Sequence, residues 1–373
     1  MPAPPSAATR LDALDAMRGY AILGVVLVHT SQWTKPAASW AVQFCADGAR
    51  GVQLFFVASA FALFLSHERR RERERRPVTV FFIRRFFRVA PMFYAGLGYF
   101  LLLVGLRPQY WAPRGLTKLA VALTALFLHG WHPETINALV PGGWSIAAEA
   151  MFYLLLPLLF RLVTSRTGAL AFLALAIALG PAMDRWLAPS LMPVYPEGFE
   201  YLADNFRTFW IFGQLPVFAL GIVMYFLLRD RLTQVDRRRG LGCFACAAVL
   251  GTALLCHSHP PDPPSFSVTI LFGVAFLFFG LALHLTRSPL WVNGPVVFLG
   301  QVSYSLYFVH FAVFYFVSRH WPGGLPLTGV WALPLAFLLV LAVATGIAFL
   351  TYRCVELPGT ALGRKLVARV EGR

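Results

Sequence analysis

Several stretches of this sequence place ionisable side chains inside otherwise apolar runs, where they could do chemistry. In AMRGYAILGVVLVHTSQW, Arg18 and His29 stand eleven positions apart. Eleven residues are almost three helical turns and about 16 Å of rise, so the two side chains are expected on one stripe, Arg18 at the inner rim and His29 past the midplane. An Arg there can grip phosphate oxygens, and an imidazole deeper in can act as base or nucleophile. The plainer alternative is a snorkelling flank Arg and a packed polar His.

IRRFFRVAP sets Arg84, Arg85 and Arg88 just before Pro91. Planar, permanently charged forks suit phosphate, although such a cluster alone commonly marks only the cytoplasmic side. In GGWSIAAEAMFYLLLP, Glu149 lies five residues past Trp144 within an apolar run. A carboxylate there needs a cation, a His or a hydroxyl, and it could hold an imidazole in one tautomer; the alternative is a buried ion pair. GQVSYSLYFVHF adds Ser303, Tyr304 and His310, whose aromatic neighbours could simply form an interfacial belt. Two intramembrane His with no third ligand at a fitting spacing do not make a metal site, and none is expected.

These residues must be positioned by membrane helices. Of 373 residues, 58% are apolar and 13% charged, against about 25% charged in soluble domains. With a mean hydropathy of +0.65 there is too little polar material to coat a globule, so the net charge of +15 does not signal a nucleic-acid partner. The fold class is all-α, a polytopic membrane protein. Eleven apolar runs are candidate spans: 17–33, 50–66, 89–106, 116–131, 144–163, 168–187, 208–228, 240–256, 266–286, 298–318 and 330–352.

Lys and Arg are retained on the inner side. HERRRERERRP with IRRFFR holds nine Arg, RDRLTQVDRRR five, and the stretch from Arg353 five basic residues, so all three are expected inside. An even number of crossings must then separate the first two, yet five candidates lie between them. The basic stretch 161–168 and the acidic loop 196–205 fix 144–228 as three crossings, so one segment between 78 and 131 is re-entrant or surface-lying. Arg107, Arg114 and Lys118 favour an inside loop, whereas the length of 89–106 favours a true span; both remain open at this point. Ten spans follow, with both termini inside, tails at 1–16 and 354–373, and an active cavity expected beside the re-entrant element. Among the five cysteines one CxxC occurs, Cys243 and Cys246, too common a spacing to indicate metal or redox chemistry. The N-terminus has no cleavable signal pattern, and no internal or inverted repeat is visible.

Taken together, these motifs make the chain resemble the membrane-bound acyltransferase family 3, which includes bacterial O-antigen and Nod-factor O-acetyltransferases. The resemblance runs over nearly the whole chain: Arg18 and His29 in MRGYAILGVVLVH, FFVASAF at 55–61, Arg85 and Arg88 in RRFFRVAP, WSIAAE at 144–149, and SYSLYFVH at 303–310. Ala60 departs from the pattern by standing where the family usually has Gly, which predicts altered helix packing rather than lost chemistry. Some members carry an appended periplasmic hydrolase-like domain; none is expected in this chain.

The resemblance implies a single transmembrane acyltransferase domain over 1–373 in the plasma (inner) membrane. It implies transfer of an acyl group, commonly acetyl from cytoplasmic acetyl-CoA, to a hydroxyl of a carbohydrate, glycolipid or similar acceptor. No permanently bound cofactor is expected. Arg18, Arg85 and Arg88 would bind the donor. His29 would be general base or acyl carrier, Glu149 would orient His29 or balance an Arg, and Trp144, Ser145, Ser303, Tyr304 and His310 would line the acceptor cavity. A ten-span transporter or flippase shares the composition; the Arg cluster aligned with a helix-one His suits CoA better than a coupled-ion site.

Overall fold

A computed structural model describes residues 11–36, 38–232, 234–257, 265–320 and 329–372. Residues 1–10 of the expected N-terminal tail lie outside the described residues, and 12–16 already belong to the first helix.

The first part of the chain forms α1 (Asp12–Thr34), α2 (Ser39–Ala46), α3 (Gly51–Arg70), α4 (Pro77–Val104), α5 (Lys118–Ala125), α6 (Pro133–Ile136) and α7 (Gly143–Leu162). There follow α8 (Arg166–Trp186), α9 (Ala188–Leu191), α10 (Tyr201–Phe209), α11 (Ile211–Leu228), α12 (Arg237–His257), α13 (Phe266–Thr286), α14 (Gly294–His320), α15 (Ala332–Thr351) and α16 (Leu357–Glu371). Among the described residues, ten helical segments are long and apolar enough to cross a membrane. The expected all-α polytopic fold is thus observed. Ten crossings return the chain to the face from which it started.

The segment that does not cross is 116–131. Residues 89–106 fall largely within α4, whose 28 residues rise about 42 Å, more than the roughly 30 Å of hydrocarbon. By contrast α5 has eight residues, about 12 Å. It starts where the Thr117 hydroxyl accepts from the Ala120 N–H at 3.1 Å and ends at Phe127, whose φ of 60° is left-handed and stops a helix. Tyr94 of α4 ties its end down, donating to the Ala125 carbonyl at 2.8 Å. Arg107, Arg114 and Lys118 therefore lie at the far end of α4 from the Arg-rich segment 69–76.

The bundle centres on α1 and α11. α1 packs against α14, α3, α15 and α13, and α11 against α3, α8, α13 and α7, so nearly all of α11 is buried. α12 packs chiefly on α13 and is mostly exposed, as a lipid-facing helix should be. The departure at Ala60 is absorbed by Gly221: a Cβ there would meet the Ala60 methyl at 2.8 Å and the Val57 carbonyl oxygen at 2.4 Å. The extra methyl on α3 thus sits against a bare backbone on α11.

The segment 354–373, expected as a tail, is helical as far as Glu371. A π-helical segment, Tyr352–Glu356, joins α15 to α16, which lies along α4 with Gly359 and Gly363 against Pro91 and Phe87. Glu371 accepts from the backbone N–H groups of Arg75 (2.9 Å) and Arg76 (3.0 Å), just before α4 begins. These are N–H groups a helix start leaves unpaired.

Candidate active site

Arg18 of α1, Ser59 of α3, Arg85 and Arg88 of α4, Glu149 of α7, and Ser303 and Tyr304 of α14 converge on one cavity of about 100 Å³. Arg88 lies eleven residues into α4, about 16 Å along its axis, and Glu149 six residues into α7 from the opposite face, about 9 Å. The cavity is therefore at mid-bundle, where a charge costs about 2.5–3.5 kcal/mol on insertion scales. Three guanidinium groups and one carboxylate share it.

Three of these four charges have polar partners, and Arg85 lies over the Phe81 ring at 5.9 Å. Arg18 lies 3.4 Å from Asp15, one turn earlier on α1. Arg88 is paired with Glu356, and its guanidinium carbon is 5.7 Å from the centre of the Tyr304 ring. The Ser59 hydroxyl donates to Glu149. Arg84, in the same cluster by sequence, turns away to Glu74 at 2.7 Å and does not line the cavity.

The α14 residues close the remaining sides. The Tyr304 hydroxyl donates to the Val89 carbonyl at 2.7 Å, binding α14 to α4 beside Arg88. Ser303 donates back to the Gly300 carbonyl at 2.7 Å. The Tyr307 hydroxyl donates to the Gly142 carbonyl and accepts from Ser145, both at 3.0 Å, which fixes the start of α7. Gly142 has a φ of 75°, and a Cβ there would strike the Tyr307 hydroxyl at 2.6 Å, so the position needs glycine. Trp144 stands behind this wall, stacked on Phe209 at 4.4 Å.

The structure places His29 apart from this cavity, and the contacts of Glu149, for which two roles are open, do not include His29. His29 sits higher on α1 against α14, its ring centroid 4.6 Å from Phe311 and 5.4 Å from His310. Glu149 accepts from Ser59 and shares the cavity lining with Arg18, Arg85 and Arg88, whereas His29 Nδ1 is 2.9 Å from Gln32 Oε1. The physical reason is depth: side chains of α3, α4 and α7 meet Arg18 in the cavity, whereas His29 stands about 16 Å further along α1.

His310, expected only as a lining residue, is fully buried; its Nδ1 donates to the Leu306 carbonyl at 3.0 Å and its Nε2 meets no hydrogen-bond partner. The non-crossing segment does border the site: Arg85 and Glu149 also edge a pocket of about 300 Å³ bounded by Leu126, Phe127 and Leu128. His129 of that segment donates from Nε2 to the Gly143 carbonyl at 3.0 Å, and burial pushes its pKa down to about 4, keeping it neutral. Sequence reasoning missed Tyr153, Tyr307 and Glu356. For Glu356 the available signal was a carboxylate directly after the last apolar run, in TYRCVELPG.

No solved structure matches this chain. The acyltransferase MdmB of Streptomyces mycarofaciens is 27% identical over 364 residues, covering 92% of this chain and 90% of that protein. Residues 11–353 match the family described as an acyltransferase domain. With that match running from the first turn of α1 to the π-helical segment after α15, the chain belongs to the acyltransferase 3 family and is a multi-pass membrane acyltransferase.

Proposed function

We propose that this acyltransferase moves an acetyl-sized acyl group from acyl-CoA to a hydroxyl of a carbohydrate, glycolipid or related acceptor. The observation that carries this reading is the cavity in which Arg18, Arg85 and Arg88 face one another at mid-bundle. CoA is a polyanion, and guanidinium forks bind phosphate bidentately. The donor enters from the face bearing Arg69, Arg70 and Arg71, which the excess of basic residues assigns to the cytoplasm together with both chain ends. No resident cofactor is needed for this chemistry.

With the CoA phosphates at the Arg cluster, the thioester at the end of its flexible arm reaches toward His29. His29 Nδ1 donates to Gln32 Oε1, which leaves the Nε2 lone pair available as a base. The acceptor oxygen attacks the thioester carbonyl as Nε2 takes its proton. The C–S bond then breaks, and the thiolate leaves to receive that proton from the imidazolium. Glu149 holds Ser59 and balances the Arg cluster, while Ser145, Ser303 and Tyr304 shape the approach and Trp144 supports it from behind.

The test uses purified protein in nanodiscs: acetyl-CoA binding, and release of CoA thiol, in wild type and in His29→Ala. Binding with His29-dependent thiol release is the expected result. Absence of binding by well-folded wild type would overturn the donor assignment. Acid quenching distinguishes the base from an acyl carrier, since only the latter leaves an acyl group on the protein.

A further inference from the structure

The geometry points to Glu356 as a positioning residue that fixes Arg88 for the donor, an inference that rests on the donor reading above. Glu356 is 1% exposed although it lies beyond the last span, because the π-helical segment Tyr352–Glu356 turns it into the bundle. A carboxylate so buried requires a cation and hydrogen bonds. It has both: Oε1 pairs with the Arg88 guanidinium, and Oε2 accepts from the Ser305 hydroxyl of α14 at 2.9 Å.

Arg88 is thus held from two sides, by this carboxylate and by the face of Tyr304, while it still lines the cavity. A guanidinium has five N–H donors, so pairing with one carboxylate oxygen leaves donors for a ligand. Its two companions are held less firmly. Arg18 has Asp15 at 3.4 Å, and the buried Arg85 Nε meets no hydrogen-bond partner. Arg88 is accordingly the fixed member of the cluster. A pre-ordered cation loses less side-chain freedom when it binds a phosphate, so the effect belongs in donor affinity rather than in the chemical step.

The test measures thiol release from acetyl-CoA by the full chain in nanodiscs, using Glu356→Gln, Arg88→Ala and the double variant. Glu356→Gln is expected to raise the acetyl-CoA KM about tenfold, with kcat within about twofold, the scale of one charge-assisted contact. In the Arg88→Ala background the same change should add nothing, since Glu356 acts through Arg88. Ser305→Ala, which spares the charge pair, should raise KM about threefold and serves if Glu356→Gln fails to insert. An unchanged KM in whichever of these single variants folds, or an equal further loss in the Arg88→Ala background, would overturn the inference. Wild type that binds no acetyl-CoA would overturn the donor reading and this inference with it.

Discussion

His29 of α1 and His310 of α14 face each other across the bundle with ring centroids 5.4 Å apart and planes inclined by 31°. Each ring uses Nδ1 for a local bond, to Gln32 Oε1 and to the Leu306 carbonyl respectively, which leaves both Nε2 atoms as acceptors. Two imidazole nitrogens with free lone pairs share one seam above a cluster of guanidinium groups, an arrangement that suits the proposed proton transfer.

His29→Ala and His29→Gln should each lower transfer by about 10²- to 10⁴-fold, the usual worth of a general base, while the protein remains inserted and folded. His310→Phe, which keeps the ring shape, should lower kcat about tenfold and leave the acetyl-CoA KM unchanged. Steady-state thiol release reads both. Near-normal turnover in either His29 variant would remove it from the mechanism.

Arg85→Ala should weaken acetyl-CoA binding by about 1.5–3 kcal/mol, with the loss shrinking as salt is raised. Titration calorimetry at two ionic strengths checks this. An unchanged affinity would reduce Arg85 to a topology signal.

Gly300→Ala should separate α1 from α14, because a Cβ there would lie 1.8 Å from the Asp15 carbonyl oxygen. Overpacking of this kind costs about 1–3 kcal/mol. Thermal unfolding in detergent should shift downward, and turnover should fall with it as His29 and His310 lose their register.

Reporter fusions in 105–117 and 126–142 should agree with one another and oppose fusions in 71–76. This follows if α4 crosses and α5 does not. Opposite readings from the two loops would make 116–131 a true span.

Span number was legible because charge parity is a strong constraint: the Arg runs at 69–76 and 229–239 forced an even count between them. Which segment stayed out was not legible, since the helix after Lys118 is stopped by a left-handed Phe127 with no Gly or Pro to announce it. The Arg cluster and Glu149 stood out because charges in apolar runs are expensive. The depth separating His29 from Arg18 was legible from their spacing, but the neighbours of each were hidden, because spacing along one helix says nothing of which helices pack at each depth. Glu356 was hidden for a related reason: apolar periodicity does not encode a π-helical turn, so a buried carboxylate reads as an ordinary helix end.

The contact of α16 with α4 sets an order of assembly. α4 enters the membrane early, carrying Arg85 and Arg88, but Glu356 and the face that covers Phe87 and Pro91 arrive only after α15 has crossed. Between those events Arg88 is a cation in the membrane without its carboxylate. The cavity lined by Arg88 is therefore completed only after the tenth span is in place, and a nascent chain that has inserted nine spans does not yet have it in its finished geometry.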